Sequence, residues 1–274
     1  MIDRAVTAGE TRTEPGNTVV FFSLALGLIW LLQLPALLAK AGVIAGPPER
    51  YLLPAALGGF SPLVAAILAA RLESGRAGVR ALFARFRIAP GGAIWYLAAL
   101  GIFAALYLTG TALYRALGGT DAGRWLYPPE NAQHVAAMIL MPLVEEPGWR
   151  GFALPRLEPR LGALRASLVL GVLWALWHTT MFILQGATPA MFAVMIVNII
   201  AGSVIFSWLY RHTRGSLSIA VMAHVGVHWN NPTHALPGQL TPFAVYTVAI
   251  VVGASALVLM DRKIWREDGT VSPR

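Results

Sequence analysis

The chain contains no cysteine, so neither a disulfide framework nor a thiol nucleophile is available to it. Charge is scarce as well. Only 12% of the 274 residues are Asp, Glu, Lys or Arg, against about 25% in an ordinary soluble domain. Lysine occurs only at Lys40 and Lys263, and the remaining basic residues are arginines. Aspartate occurs only at Asp3, Asp121, Asp261 and Asp268, each outside the long apolar runs, which excludes a pair of aspartates inside a membrane span. The zinc-protease pattern His-Glu-x-x-His is missing. The serine-hydrolase elbow is missing too: Gly59-Phe60-Ser61-Pro62-Leu63 fails at its last position. Neither a repeat nor a low-complexity tract is present.

What the chain has is apolar length. It is 57% hydrophobic, with a mean hydropathy of +0.62, which places it among integral membrane proteins. A spanning helix needs about 20 mostly apolar residues, because the hydrocarbon core is about 30 Å thick and each helical residue rises about 1.5 Å. Eight such spans are predicted: Thr18–Ala39, Tyr51–Ala70, Gly92–Leu113, Gln133–Gly151, Ala166–Leu184, Pro189–Tyr210, Leu217–Trp229 and Thr241–Met260. The fold class is therefore all-α, a polytopic bundle of about eight spans. The first run is too long for a signal-peptide core and no small-residue cleavage site follows it, so no cleavage is expected.

The net charge of +8 resembles a nucleic-acid footprint, but its distribution excludes that partner. The basic residues lie in short loops between apolar runs. With the N-terminus in the cytoplasm and eight spans threaded, 17 of the 21 Lys and Arg fall on the cytoplasmic side. The other 4 are Lys40, Arg50, Arg115 and Arg124. Such a bias sets membrane orientation and puts both termini in the cytoplasm. Three segments follow: a cytoplasmic tail over 1–17, one intramembrane domain over 18–260, and a cytoplasmic tail over 261–274. The stretch from Arg71 to Arg87 mixes arginines with Val79, Leu82, Phe83 and Phe86. It reads either as an interfacial amphipathic helix on the cytoplasmic face or as a solvated loop. Arginine-rich, lysine-poor usage points to a bacterial plasma membrane.

An ionisable group inside a span is costly and marks function by default. Of the glutamates, only Glu145 and Glu146 lie in an apolar run, within Met138-Ile-Leu-Met-Pro-Leu-Val-Glu-Glu-Pro-Gly-Trp-Arg150. Of the histidines, His178 lies in the fifth span, and His224 and His228 lie in the seventh. His134, His212 and His234 are at span ends or in loops. Counted at the helical rise, Glu145, His178 and His224 reach similar depths below the cytoplasmic surface, roughly 12–18 Å. Glu146 and Arg150 are spaced i, i+4 in the favourable acid-first order and form an ion pair. Glu145, about 100° away around the helix, is left to face the histidines. Pro147 removes a backbone donor and Gly148 loosens the turn, so a kink is expected there, with the helix ending near Pro155. Trp174 and Trp177 read as packing residues beside His178.

A buried carboxylate with imidazoles around it suits hydrolysis by an activated water. The same side chains also admit other readings. One is a metal site with Glu145, His178, His224 and His228 as ligands, although no metal-binding spacing favours it. Another is a non-catalytic membrane scaffold or bacteriocin-immunity protein with a structural Glu–His cluster. A third is a proton-coupled transporter.

Three patterns stand in order on separate spans: Glu145-Glu146-x-x-x-Arg150, Trp174-x-x-x-His178, and His224. Together they resemble the motifs of the CPBP intramembrane proteases, the CAAX-processing and bacteriocin-processing proteins related to the Rce1-type prenyl endopeptidases. The resemblance covers residues 133–231, and the stretch 59–62 is similar to the family too. It implies an intramembrane endopeptidase. Glu145 would activate the water with help from His178, Glu146 and Arg150 would hold the helix and the site, and His224 would help form the oxyanion hole. Where the family carries Asn four residues after that histidine, this chain carries His228, and Trp174 replaces the usual Phe. No cofactor is implied. The expected partners are a peptide or membrane-protein substrate and the lipid bilayer.

Overall fold

The structure is a computed structural model that describes residues 15–120, 125, 128–229 and 240–266. Most of each predicted tail, and Asp121, Arg124, Asn230, Asn231 and His234, lie outside the described residues. Among the described residues every regular element is helical. The long helices are α1 (Pro15–Lys40), α3 (Ser61–Phe83), α4 (Ala93–Ala116), α7 (Ala163–Leu184), α8 (Pro189–His212) and α10 (Leu240–Met260). Shorter ones are α2 (Leu52–Leu57), α5 (Ala132–Glu146), α6 (Leu154–Leu161), α9 (Leu217–His228) and α11 (Arg262–Arg266).

Among the described residues six stretches are long and apolar enough to cross a membrane: Gly16–Lys40 of α1, Pro48–Phe83, α4, α7, α8 and α10. The two expected spans that fall short are the fourth and the seventh. The fourth is broken after Glu146 by a π-helical segment, Pro147–Ala153. The seventh is α9, whose 12 residues reach about 18 Å at the helical rise, less than the hydrocarbon thickness. These two short elements carry Glu145, Glu146, His224 and His228.

Side-chain bonds define the two ends of the bundle. At one end, Lys40 at the close of α1 donates to the Leu184 carbonyl at the close of α7. At the other, Arg211 of α8 pairs with Glu158 of α6 at 2.9 Å and donates to the Ile264 carbonyl of α11. There Arg85 also reaches Tyr210, and Tyr96 near the start of α4 meets Ser218 of α9. This second end, called the basic end below, gathers the arginine-rich segments.

The core near the site is built from small residues. Ala65, Ala66, Ala69 and Ala70 on α3 are almost fully buried, and α3 packs along α1. In lipid, close backbone approach through small side chains replaces the hydrophobic drive that operates in water. In α3, Ser74 and Gly75 leave helical geometry, with Gly75 at φ 59°, a conformation that suits glycine. The Arg71–Arg87 stretch is helical as far as Phe83, and residues 76–83 are its helical part beyond the kink. Its Leu82 is buried and its Phe83 exposed, so it has two faces.

Candidate active site

The site begins with the break in the fourth span. Pro147 has no N–H to give to the turn before it, and the helix widens to π geometry over Pro147–Ala153. Single π turns inside α-helices occur often at functional sites. The expected kink is thus realised as a π segment. The helix also does not stop at Pro155, which occupies the second position of α6, where a missing N–H is tolerated. Gly148 allows the segment to lie against α3: a Cβ there would stand 2.7 Å from the Pro62 carbonyl oxygen. Trp149 and Phe152 anchor it from the other side against Phe21 of α1, with ring centroids 5.6 and 5.2 Å away.

Glu145, Glu146 and Arg150 are all buried at this break. Arg150 Nη1 donates to Glu146 Oε1 at 3.0 Å, the i, i+4 pair expected from spacing. Its Nη2 reaches Ser203 Oγ on α8 at 3.5 Å. The guanidinium also lies over two rings, Trp174 at 4.4 Å and Phe206 at 4.3 Å. An arginine with no solvent contact needs such partners to offset its desolvation.

The histidines divide differently from the sequence expectation. His224 Nδ1 lies 2.8 Å from Glu146 Oε1, so this histidine faces Glu146. Sequence spacing pairs it with Glu145 instead. The reason lies in helix rotation: α9 packs beside α5 on the face that Glu146 presents, and α7 occupies the side of Glu145. Glu145 Oε2 instead accepts a hydrogen bond from the indole Nε1 of Trp174 at 3.0 Å. One turn further along α7, His178 Nδ1 is 2.8 Å from the Trp174 carbonyl oxygen.

Trp174, read from sequence as packing, is therefore the hub. It binds Glu145 through its side chain and His178 through its backbone. Its indole is edge-on to both imidazoles, with centroids 5.6 Å from His178 and 5.4 Å from His224. His228 stacks on His224 with centroids 5.2 Å apart. His178 and His228 are half-buried and His224 is buried. Among the described residues no group of three His, Asp or Glu side chains is placed to hold a metal ion.

These bonds fix tautomers. A carbonyl oxygen only accepts, so His178 Nδ1 carries a proton and the neutral ring has its lone pair on Nε2. A Glu146 carboxylate paired with Arg150 likewise accepts a hydrogen bond from His224 Nδ1–H. His224 Nε2 then donates only when the ring is an imidazolium.

Some members of the site carried no signal that singled them out. Ser203 and Phe206 sit in an unbroken apolar run and become site residues only because α8 crosses behind Arg150. Ser61 lies in the 59–62 stretch that resembled the family. It accepts from Trp177 Nε1 at 2.9 Å and donates to the Ala25 carbonyl at 2.8 Å. Trp177 in turn stands edge-on to His178 with centroids 4.7 Å apart.

Comparison with known proteins gives two likenesses over the segment that carries these residues. Residues 129–230 match the family model described as "Type II CAAX prenyl endopeptidase Rce1-like", and that stretch contains α5, the π segment and α6 to α9. The chain is 26% identical over 138 residues to CAAX prenyl protease 2 of Methanococcus maripaludis, a stretch covering 47% of this chain and 50% of that protein. The chain thus spans about half the length of the curated relative it matches. On these two likenesses residues 129–230 of this polytopic membrane protein are similar to an Rce1-like domain, and the likeness points to the CPBP/Rce1-like intramembrane proteases.

Proposed function

We propose that the chain is an intramembrane endopeptidase in which Glu145 activates a water for attack on a peptide carbonyl. The observation that carries this reading is the double hold of Trp174: its indole N–H on Glu145 and its carbonyl on His178. One rigid residue orients both acceptors. Glu145 keeps its second oxygen, and neutral His178 keeps the Nε2 lone pair. A water lying between them donates one hydrogen bond to Glu145 and one to His178 Nε2 while its oxygen approaches the carbonyl carbon. In the step itself Glu145 takes one proton, and the water oxygen bonds to carbon. When the C–N bond breaks, Glu145 returns its proton to the leaving nitrogen, so water is consumed and an acid and an amine result.

Negative charge on the carbonyl oxygen needs a donor in a site this dry. His224, held through Nδ1 by Glu146, is the ring placed to help form that oxyanion hole. His228, stacked on it, is the neighbouring donor. Glu146 and Arg150 are positioning residues that fix this ring and the π segment. The Glu145-to-Trp174 bond also holds the carboxylate in place between turnovers.

The 17-to-4 split of basic residues supports cytoplasmic termini in a bacterial plasma membrane, with the basic end inward. The substrate is a peptide or membrane protein, and the relative's name makes a prenylated C-terminus one form to test. The test uses purified protein in liposomes with paired reporters, prenylated and unprenylated, and mass spectrometry to identify new termini. Cleavage at one bond, lost in His178→Ala with the protein still folded, supports the reading. Intact reporters with the wild type, or cleavage retained in that variant, would count against it.

A further inference from the structure

A second site lies away from the catalytic cluster. Both α7 and α10 pack on α8, and between them they leave a trough of about 520 Å³ whose floor is α8. That volume is in the range of pockets that hold small molecules. Its walls include Leu164 and Leu168 from α7 and Val251 and Val258 from α10, and its floor includes Ala201 and Val204. Ser255 is the one polar residue in the lining. Apart from Ser255, floor and walls alike are apolar, which suits the channel to a hydrocarbon chain.

The trough opens at the basic end. Leu164 follows the first residue of α7, and Val258 and Leu259 precede the last residue of α10. Arg165 stands beside Leu164, and Arg262 begins α11, which packs against α7. Both arginines are exposed. Asp261, next to Arg262, is already taken by Trp208 Nε1 at 2.9 Å and His212 Nε2 at 2.6 Å on α8, and Glu158, the acid nearest Arg165 in sequence, is paired with Arg211 at 2.9 Å. The rim of the trough is therefore cationic.

From this pairing of an apolar channel with an arginine rim we infer that the trough is a specific site for one anionic glycerophospholipid. An acyl chain lies along α8, and the phosphate is held by Arg165 and Arg262. Basic pockets at membrane-helix ends favour anionic head groups, each cation near the surface contributing about a fivefold gain in affinity. A zwitterionic lipid offers the same tails, but its own cation offsets that gain. This inference does not rest on the protease reading.

The test is native mass spectrometry of delipidated protein titrated with phosphatidylglycerol or with phosphatidylcholine of the same chains. The wild type retains one phosphatidylglycerol in preference. Arg165→Gln with Arg262→Gln weakens that retention roughly tenfold or more and leaves phosphatidylcholine unchanged. Ser255→Phe, at an exposed position that spares the fold, blocks the channel and weakens retention of phosphatidylglycerol without touching the arginines. Arg71→Gln with Arg76→Gln, exposed arginines away from the trough, leaves retention intact. Equal loss in both arginine pairs, no effect of Ser255→Phe, or graded retention of many lipids of either class would each show ordinary annular contact and overturn the proposal.

Discussion

His224 and Glu146 meet through a 2.8 Å hydrogen bond across 78 positions of sequence, and the same carboxylate oxygen also receives Arg150 at 3.0 Å. One oxygen thus holds two cationic or donating groups from two elements. The arrangement ties the short helix α9 to the π segment, so the histidine ring cannot turn without breaking a buried hydrogen bond.

Removing Arg150 leaves the Glu146 carboxylate buried without its charge partner. Breaking a buried pair on one side costs about 3–5 kcal/mol. Arg150→Ala is expected to lower the thermal midpoint sharply, and Arg150→Met with Glu146→Gln is expected to recover much of it. Unfolding in detergent checks this. A single variant as stable as the wild type would contradict the ion-pair assignment.

Trp174→Phe keeps a ring in place and deletes only the indole N–H. A hydrogen bond to a charged group is worth about 1.5–3 kcal/mol, so turnover is expected to fall roughly tenfold to hundredfold. Substrate affinity is expected to stay close to that of the wild type. Steady-state kinetics on a cleaved reporter separate the two.

Gly148→Ala places a methyl group 2.7 Å from backbone at Pro62. Backbone cannot swing aside as a flexible side chain does, so α3 and the π segment must separate. Overpacking of this kind costs typically about 1–3 kcal/mol. A lower thermal midpoint with reduced activity is expected, whereas Gly202→Ala, which meets nothing within 4 Å, is expected to be silent.

Asp261 lies just past the end of α10, outside the spans. Burial works against its charge, but hydrogen bonds from His212 and Trp208 more than offset that and hold its carboxyl below the usual aspartate range. A depressed folded value means that its contribution is present above the unfolded range and is lost as pH falls through the folded one. Wild-type stability is expected to drop on acidification below the normal aspartate range, and Asp261→Asn is expected to flatten that part of the profile.

Much of this molecule is legible in its sequence because membranes impose simple rules. Runs such as Pro189–Tyr210 must be helices, since no water satisfies their backbone groups, and α8 runs from Pro189 to His212. The Glu146–Arg150 pair follows from i, i+4 spacing alone. The break after Glu146 is visible in Pro147-Gly148, but its form is not, because a π turn depends on what the neighbouring helices allow. Nor can sequence assign His224 to Glu146. That choice rests on how α5 and α9 are rotated against each other, and adjacent carboxylates give spacing arguments no means to decide. Trp174 hid its role for a similar reason: an indole that packs and an indole that donates look alike in sequence.

The central claim is that the Glu145 carboxylate is the base. The measurement that tests it most directly is single-bond hydrolysis by wild type and Glu145→Gln at equal thermal stability in the same liposomes. Glutamine keeps the shape and still accepts from Trp174, but it cannot take a proton from water. The account predicts a loss of roughly 10²- to 10⁴-fold, the size of a general-base contribution. Turnover within a few-fold of the wild type would contradict it.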